Sequence, residues 1–294
     1  VTERILRVGK PTPLVGIVSE PEAFDASRPA VLLLNSGIMH RVGTCRLSVK
    51  LARAVAQRGL LAARFDFSGI GDSEPRRGTE SFERIAPQEC IEVMDYLQRT
   101  RGVSRFILYG LCSGSDASYF TALQDERVVA IAQIDAFCYP TLRYYAAYYA
   151  PLVVQGSKWR GLVRRTLRTL TGGGGRAATP SLASIDPEYV ELPTYTRVFP
   201  PRDAVADGLR TLVARRVPIF VTFTGSEAGY RYASQFRDSF RDVPFGDLLR
   251  VDYLRHANHI VTQPDVQRQL VDSIADWMAR QGAASGAGEA TRVA

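Results

Sequence analysis

Short apolar runs alternate along the chain with segments whose apolar residues recur at helical spacing. Ala30–Leu34 (AVLLL) is a continuous run of buried-strand type. Leu60–Phe67 (LLAARFDF), Arg105–Tyr109 (RFILY), Val128–Ile134 (VVAIAQI), Pro218–Thr224 (PIFVTFT) and Leu248–Leu254 repeat it. After the first of these runs, Leu47, Leu51 and Val55 form an apolar stripe that ends at Gly59. A helix from about Pro87 carries Cys90, Met94 and Leu97 on one face, with proline in its first turn. Val266, Leu270, Ile274 and Met278 mark a closing helix. Strands that are apolar almost throughout need cover on both faces, as in parallel sheets whose crossovers are helices. The pattern predicts an α/β fold with a mostly parallel central sheet.

One stretch breaks the alternation. More than 80 residues separate the Val128 strand from the Pro218 strand, far beyond an ordinary connection. Its first part is helical in pattern and aromatic, with Tyr139, Tyr144, Tyr145, Tyr148, Tyr149 and Trp159. A basic helix-like stretch, Lys158–Leu170, follows, then Gly172–Gly175 and a proline-rich return. The pattern predicts a helical cap inserted over residues 139–205, between core segments 1–138 and 206–282. The small, polar residues 283–294 read as a flexible tail.

Charge singles out the same stretch. The chain carries 37 Lys+Arg against 30 Asp+Glu, a net +7. Residues 136–185 contain no Asp or Glu and seven basic residues (Arg143, Lys158, Arg160, Arg164, Arg165, Arg168 and Arg176), which leaves the rest balanced at 30 to 30. A protein that coats nucleic acid spreads its charge over a face or tail, so this distribution argues against that role. At 46% hydrophobic and 10% aromatic residues the chain is able to bury a large core, which excludes disorder. No apolar run approaches the roughly 18 residues of a membrane span, and Val1–Lys10 lacks the layout of a secretory signal. Cys45, Cys90, Cys112 and Cys138 show no metal-like spacing. A cytoplasmic protein with free thiols, no metal and no membrane partner is expected.

The densest local feature is RFILYGLCSGSDAS, a strand that runs into Gly110-Leu111-Cys112-Ser113-Gly114 and then a helix. A residue exposed on such a tight turn needs small neighbours two before and two after it, which Gly110 and Gly114 supply. The helix that follows directs its N-terminal N–H groups toward the turn. For a thiol, that environment and a nearby histidine lower the free value of about 8.5 and raise the thiolate fraction. Ser113 is a poorer nucleophile candidate, since Leu111 would then occupy a position that requires a small residue.

This strand–turn–helix resembles the nucleophile elbow of the α/β-hydrolase superfamily, with cysteine where most members carry serine. Asn35-Ser36-Gly37-Ile38 resembles the family's oxyanion loop, Arg64–Ser73 (RFDFSGIGDS) its Asp-x-x-Gly-x-Gly-x-Ser stretch, and ANHIVTQPDVQRQLVDSIADWM its histidine loop and last helix. The resemblance covers nearly the whole chain apart from the insertion. It implies Cys112 as nucleophile, His259 as base, and the Ile38 and Ser113 amides as oxyanion hole. It places the acid after the Pro218–Thr224 strand, at Glu227, in the family's order of nucleophile, acid and histidine. Glu227 lies two residues past Gly225, where many relatives put Asp three past it, so Asp135 at another strand end is the stand-in.

The chain's three histidines, His40, His256 and His259, all fall in the two loops expected to face Cys112. His40 either orients the oxyanion loop or lies on the surface. Asp66 and Ser73 are expected to stabilise a tight loop. Tyr144, Tyr145 and Tyr148 either pack the cap or line an acyl pocket, and Arg164 and Arg165 either bind an acidic donor or form a solvated face. The resemblance implies an esterase or thioesterase acting through a Cys112 acyl-enzyme, with no cofactor. Cysteine is compatible with activity, since similar members include dienelactone hydrolases, polyhydroxyalkanoate synthases and bile-acid acyltransferases. An acyltransferase that takes its acyl group from coenzyme A or an acyl carrier protein is the second reading. A non-catalytic binding protein is the third.

Overall fold

The computed structural model describes residues 1–76, 81–154, 197–225 and 229–287. Its strands are β1 (Thr2–Val8), β2 (Leu14–Glu20), β3 (Ala30–Leu33), β4 (Ala62–Phe65), β5 (Phe106–Leu111), β6 (Val128–Ile134), β7 (Ile219–Thr224) and β8 (Leu249–Leu254). Among the described residues they form one eight-stranded sheet in the order β1-β2-β4-β3-β5-β6-β7-β8. β2 pairs antiparallel with β1 and with β4, and every pairing from β4 to β8 is parallel.

The continuous apolar runs have a simple cause. On β3, Val31 and Leu33 pack toward α1 (Leu47–Gln57) and α7 (Pro264–Ala287), on the side that also buries Ile107, Tyr109 and Phe220. Leu32 and Leu34 face the opposite core, shared with α2 (Phe82–Arg101), α3 (Ser113–Gln124) and α5 (Arg202–Ala214). Both sides of the pleat are therefore dry, and each fully buried Val, Leu or Phe contributes about 1.5–3 kcal/mol. The described residues also form α4 (Leu142–Val154) and the short α6 (Gln235–Ser239). The chain divides into two compact units, Val1–Tyr139 with Phe199–Ala294, and Pro140–Val198.

Three local outcomes differ from the sequence pattern. The hairpin β1–β2 was not legible because β1 has charged residues on its open edge and buries only Leu6 and Val8. The helix α2 starts at Phe82 rather than near Pro87, which sits inside it. The Phe82 ring packs edge-on against Phe67 at 5.5 Å, and Ala86 is buried, so packing of the first turns outweighs the missing proline N–H. The last helix continues to Ala287, past the point where small and polar residues begin.

Candidate active site

Cys112 joins β5 to α3 at φ 55° and ψ −116°, a conformation that costs a side-chain-bearing residue about 1–3 kcal/mol. Sterics explain the flanking glycines. A Cβ on Gly110 would fall inside the backbone of Gly114 and 2.5 Å from Ser115 N. One on Gly114 would lie 2.5 Å from the carbonyl oxygen of Asn35.

Hydrogen bonds clamp the turn from beneath. Cys112 N–H donates to Ile134 O at 2.9 Å, and Cys112 O accepts from Ser115 N at 2.9 Å and Asp116 N at 3.2 Å. The Ser115 hydroxyl lies 2.9 Å from Gly110 O and 2.8 Å from Ile134 O. Gln133 Nε2 donates to Ser115 O at 2.8 Å and Ser118 Oγ at 3.1 Å. Buried polar groups joined this way over-determine the strained turn.

The loop after β3 is fastened to the elbow. Gly37 N–H donates to Ser113 Oγ at 2.6 Å, and Met39 N–H to Ser36 O at 3.0 Å, closing a turn with Ile38 exposed at its tip. Among the described residues, the Ile38 and Ser113 amide N–H groups have no hydrogen-bond partner. Asn35 holds the base of this turn, with Nδ2 donating to Met39 O at 2.8 Å and Oδ1 accepting from Phe67 N at 2.7 Å.

Asp66, fully buried, accepts from the Arg41 backbone and guanidinium and from Asp72 N, and its carbonyl accepts from Ser73 Oγ at 2.7 Å. The Asp-x-x-Gly stretch thus holds its own loop and the oxyanion-type turn together. That coupling is not legible in the sequence, because it joins two motifs about 30 residues apart through Arg41, which belongs to neither.

His259 is half-buried in the loop before α7, and its Nδ1 lies 2.6 Å from Asp135 Oδ2. The Cys112 side chain also acts on the ring. The Asp135 bond first, and the Cys112 side chain second, push the imidazolium up from 6.5 to about 10 against the opposing effect of burial. Asp135 is fully buried just past β6 at φ 52°, the second side-chain-bearing residue of the site in the left-handed region. Imidazole and carboxylate are therefore joined by a hydrogen bond, and the Cys112 side chain acts on the same ring.

Glu227, Arg164 and Arg165 lie outside the described residues. His40 is exposed, with Nδ1 3.4 Å from Val42 N, and His256 is exposed as well. Tyr144, Tyr145 and Tyr148 stand on α4 in the Pro140–Val198 unit. The Tyr144 and Tyr148 rings stack at 6.2 Å, Tyr145 meets Tyr144 edge-on at 5.4 Å, and Tyr145 and Tyr148 are exposed. None of the four cysteines, all among the described residues, forms a disulfide. No helix among the described residues is long and apolar enough to cross a membrane, and no three His, Cys, Asp or Glu among them gather to hold a metal ion.

No protein-family model matches the chain, and no curated protein matches its sequence. Solved structures do match its shape. The esterase domain of a Rhodothermus marinus protein shares 15% identity at a TM-score of 0.57, over 95% of this chain and 99% of that one. The esterase Est1E of Butyrivibrio proteoclasticus, solved with ferulic acid, shares 13% at 0.59, over 94% and 98%. The Pyrococcus furiosus esterase Pf2001 shares 12% at 0.58, over 95% and 91%. These likenesses, with the strand order and the helices on both faces of the sheet, show that the chain has the α/β-hydrolase fold.

Proposed function

We propose that the chain is an ester or thioester hydrolase that works through a Cys112 acyl-enzyme, with His259 as acid–base and Asp135 as its orienting carboxylate. One observation carries the proposal. His259 meets Asp135 at 2.6 Å and is acted on by the Cys112 side chain, while Cys112 stands on a strained, glycine-flanked turn. Asp135 takes the acid role ahead of Glu227 because its carboxylate already meets the ring.

The steps follow from this geometry. With the proton resting on His259, Cys112 Sγ attacks the acyl carbon to form a C–S bond while the carbonyl oxygen becomes an oxyanion. The Ile38 and Ser113 amides receive that oxyanion. Collapse breaks the bond to the leaving alkoxide or thiolate, which takes the proton from the His259 imidazolium. Water then gives a proton to His259 as its oxygen attacks the thioester carbon. The second collapse breaks the C–S bond and frees Sγ, with the proton from water left on His259 as at the start. Asp135 keeps the Nδ1–H tautomer and balances the imidazolium charge throughout.

A second reading has its own support. An acyl-cysteine is itself a thioester donor, and the net charge of +7 resides in residues 136–185, a composition suited to coenzyme A phosphates or an acidic carrier protein. An acceptor alcohol or amine would then replace water in the second half-reaction. In either reading the substrate is a small acyl ester or thioester.

Incubation with short- and long-chain acyl thioesters, followed by intact mass measurement, tests the proposal. An adduct of the acyl mass is expected on the native chain and not on Cys112→Ala. An adduct that persists in Cys112→Ala overturns the nucleophile assignment. Product analysis with and without acceptor alcohols or amines separates hydrolysis from transfer.

A further inference from the structure

The carboxylate that meets His259 is held by a partner on the neighbouring strand. Asp135 follows β6, and its backbone N–H donates to Thr222 O at 2.9 Å, which continues the β6–β7 ladder beyond Ile134↔Thr222. At φ 52° the residue turns out of the strand direction, and its side chain meets the last residue of β7, Thr224. Thr224 binds both carboxylate oxygens. Its backbone N–H donates to Oδ1 at 2.7 Å and its hydroxyl to Oδ2 at 2.8 Å, the oxygen that also receives His259 Nδ1 at 2.6 Å.

Both residues are fully buried, so a rotated carboxylate would leave unpaired groups where no water replaces them. Thr224 is β-branched and stiff at χ1, which fixes the direction of its hydroxyl. The next residue ties the same strand end to the histidine loop. Gly225 N–H donates to Leu254 O at 3.0 Å and Ala257 O at 3.1 Å, and a Cβ there would enter the Arg255 backbone.

We infer that Thr224 is the positioning residue of the acid. By holding both oxygens of Asp135 it fixes the carboxylate plane, and through that plane it fixes the orientation of the His259 ring toward Cys112. The inference rests on the Cys112–His259–Asp135 reading for its effect on turnover, but not for its effect on the ring. Thr224 contacts no reacting atom, so its loss acts on kcat and leaves KM nearly unchanged.

Ring titration by NMR provides the test, because the chain has only three histidines to assign. In the native protein His259 is expected to titrate near 10. Thr224→Val removes the hydroxyl donor while keeping volume and the backbone bond. It is expected to lower the His259 midpoint by about one pH unit or more. It is also expected to reduce kcat by roughly ten- to a hundredfold, the effect of one hydrogen bond to a charged group. Thr224→Ser keeps both donors and is expected to restore the midpoint, with kcat within about threefold of the native protein. Thr224→Ala, which adds no methyl in place of the hydroxyl, is expected to match Thr224→Val and serves if that variant does not fold.

A midpoint unchanged in Thr224→Val or Thr224→Ala overturns the inference, as does a Thr224→Ser midpoint displaced as far as theirs. Failure of the proposed function shows itself separately. An acyl adduct that survives in Cys112→Ala removes the nucleophile and leaves the ring titration untouched.

Discussion

Gly37 donates its backbone N–H to the Ser113 hydroxyl at 2.6 Å, so the residue after Cys112 holds the loop that would receive an oxyanion. A side chain on α3 thereby sets the position of a turn that begins at the end of β3. Ser113→Ala removes this tether and keeps the Ser113 amide. Acylation is expected to slow about tenfold with little change in KM, in keeping with one lost hydrogen bond at a pre-organised site. Stopped-flow measurement of the first turnover checks this, and an unchanged acylation rate refutes it.

Two carboxylates compete for the acid role, and substitution separates them. Asp135→Asn is expected to lower kcat/KM by about a thousandfold or more, since an amide at that point favours the wrong imidazole tautomer. Glu227→Gln is expected to leave kcat/KM within about threefold. The reverse pattern in steady-state kinetics would return the role to Glu227.

The elbow glycines are steric requirements. Gly110→Ala would drive a methyl into the Gly114 backbone, and Gly114→Ala would press on Asn35 O. Each is expected to cost about 3 kcal/mol of stability or more, through displacement of packed backbone. Urea unfolding measures it. A loss below about 1 kcal/mol would mean that the turn relaxes without penalty.

Stability should depend on pH through His259. Its imidazolium is held above the ordinary 6.5, to about 10, by Asp135 first and Cys112 second. A group raised in the folded state adds its full stabilisation below the unfolded value and loses it as pH climbs through the folded one. The Tm advantage of the native protein over His259→Gln is therefore expected to be largest below about pH 6.5 and to vanish toward pH 10. A difference that grows between those limits contradicts the ion-pair assignment.

The basic segment gives a prediction from sequence alone. If Arg164, Arg165 and Arg168 receive a phosphorylated acyl donor, their joint replacement by Gln should raise the donor's KM by roughly three- to tenfold and flatten its salt dependence. Equal KM values at low and high salt in both proteins would reduce these arginines to a solvated surface.

The strands β3 to β8 and the helices α1, α2 and α7 announce themselves in the chain because burial on both sheet faces demands apolar runs, and helix packing demands apolar stripes. The elbow is equally local. Gly110, Cys112 and Gly114 interact within a few residues, so their spacing reports the turn directly. The hairpin β1–β2 leaves no such signal because an edge strand with Glu3, Arg4 and Arg7 exposed carries too few buried positions. Helix α5 was obscured by its place next to a long insertion.

The partner of His259 is a matter of a different kind. Asp135 lies 124 residues before His259 and 89 before Thr224, and the parallel pairings of β6 with β7 and of β7 with β8 bring the three together. Motif order points past β7, whereas the packed sheet sets a buried carboxylate from β6 against the ring. Short-range sterics and periodicity thus specify the α/β layers, the strained cysteine turn and the loops that carry histidine. The choice of carboxylate, the Ser113 tether and the Thr224 clamp depend on strand register and on the desolvation of groups far apart in the chain, which exist only once the sheet has closed.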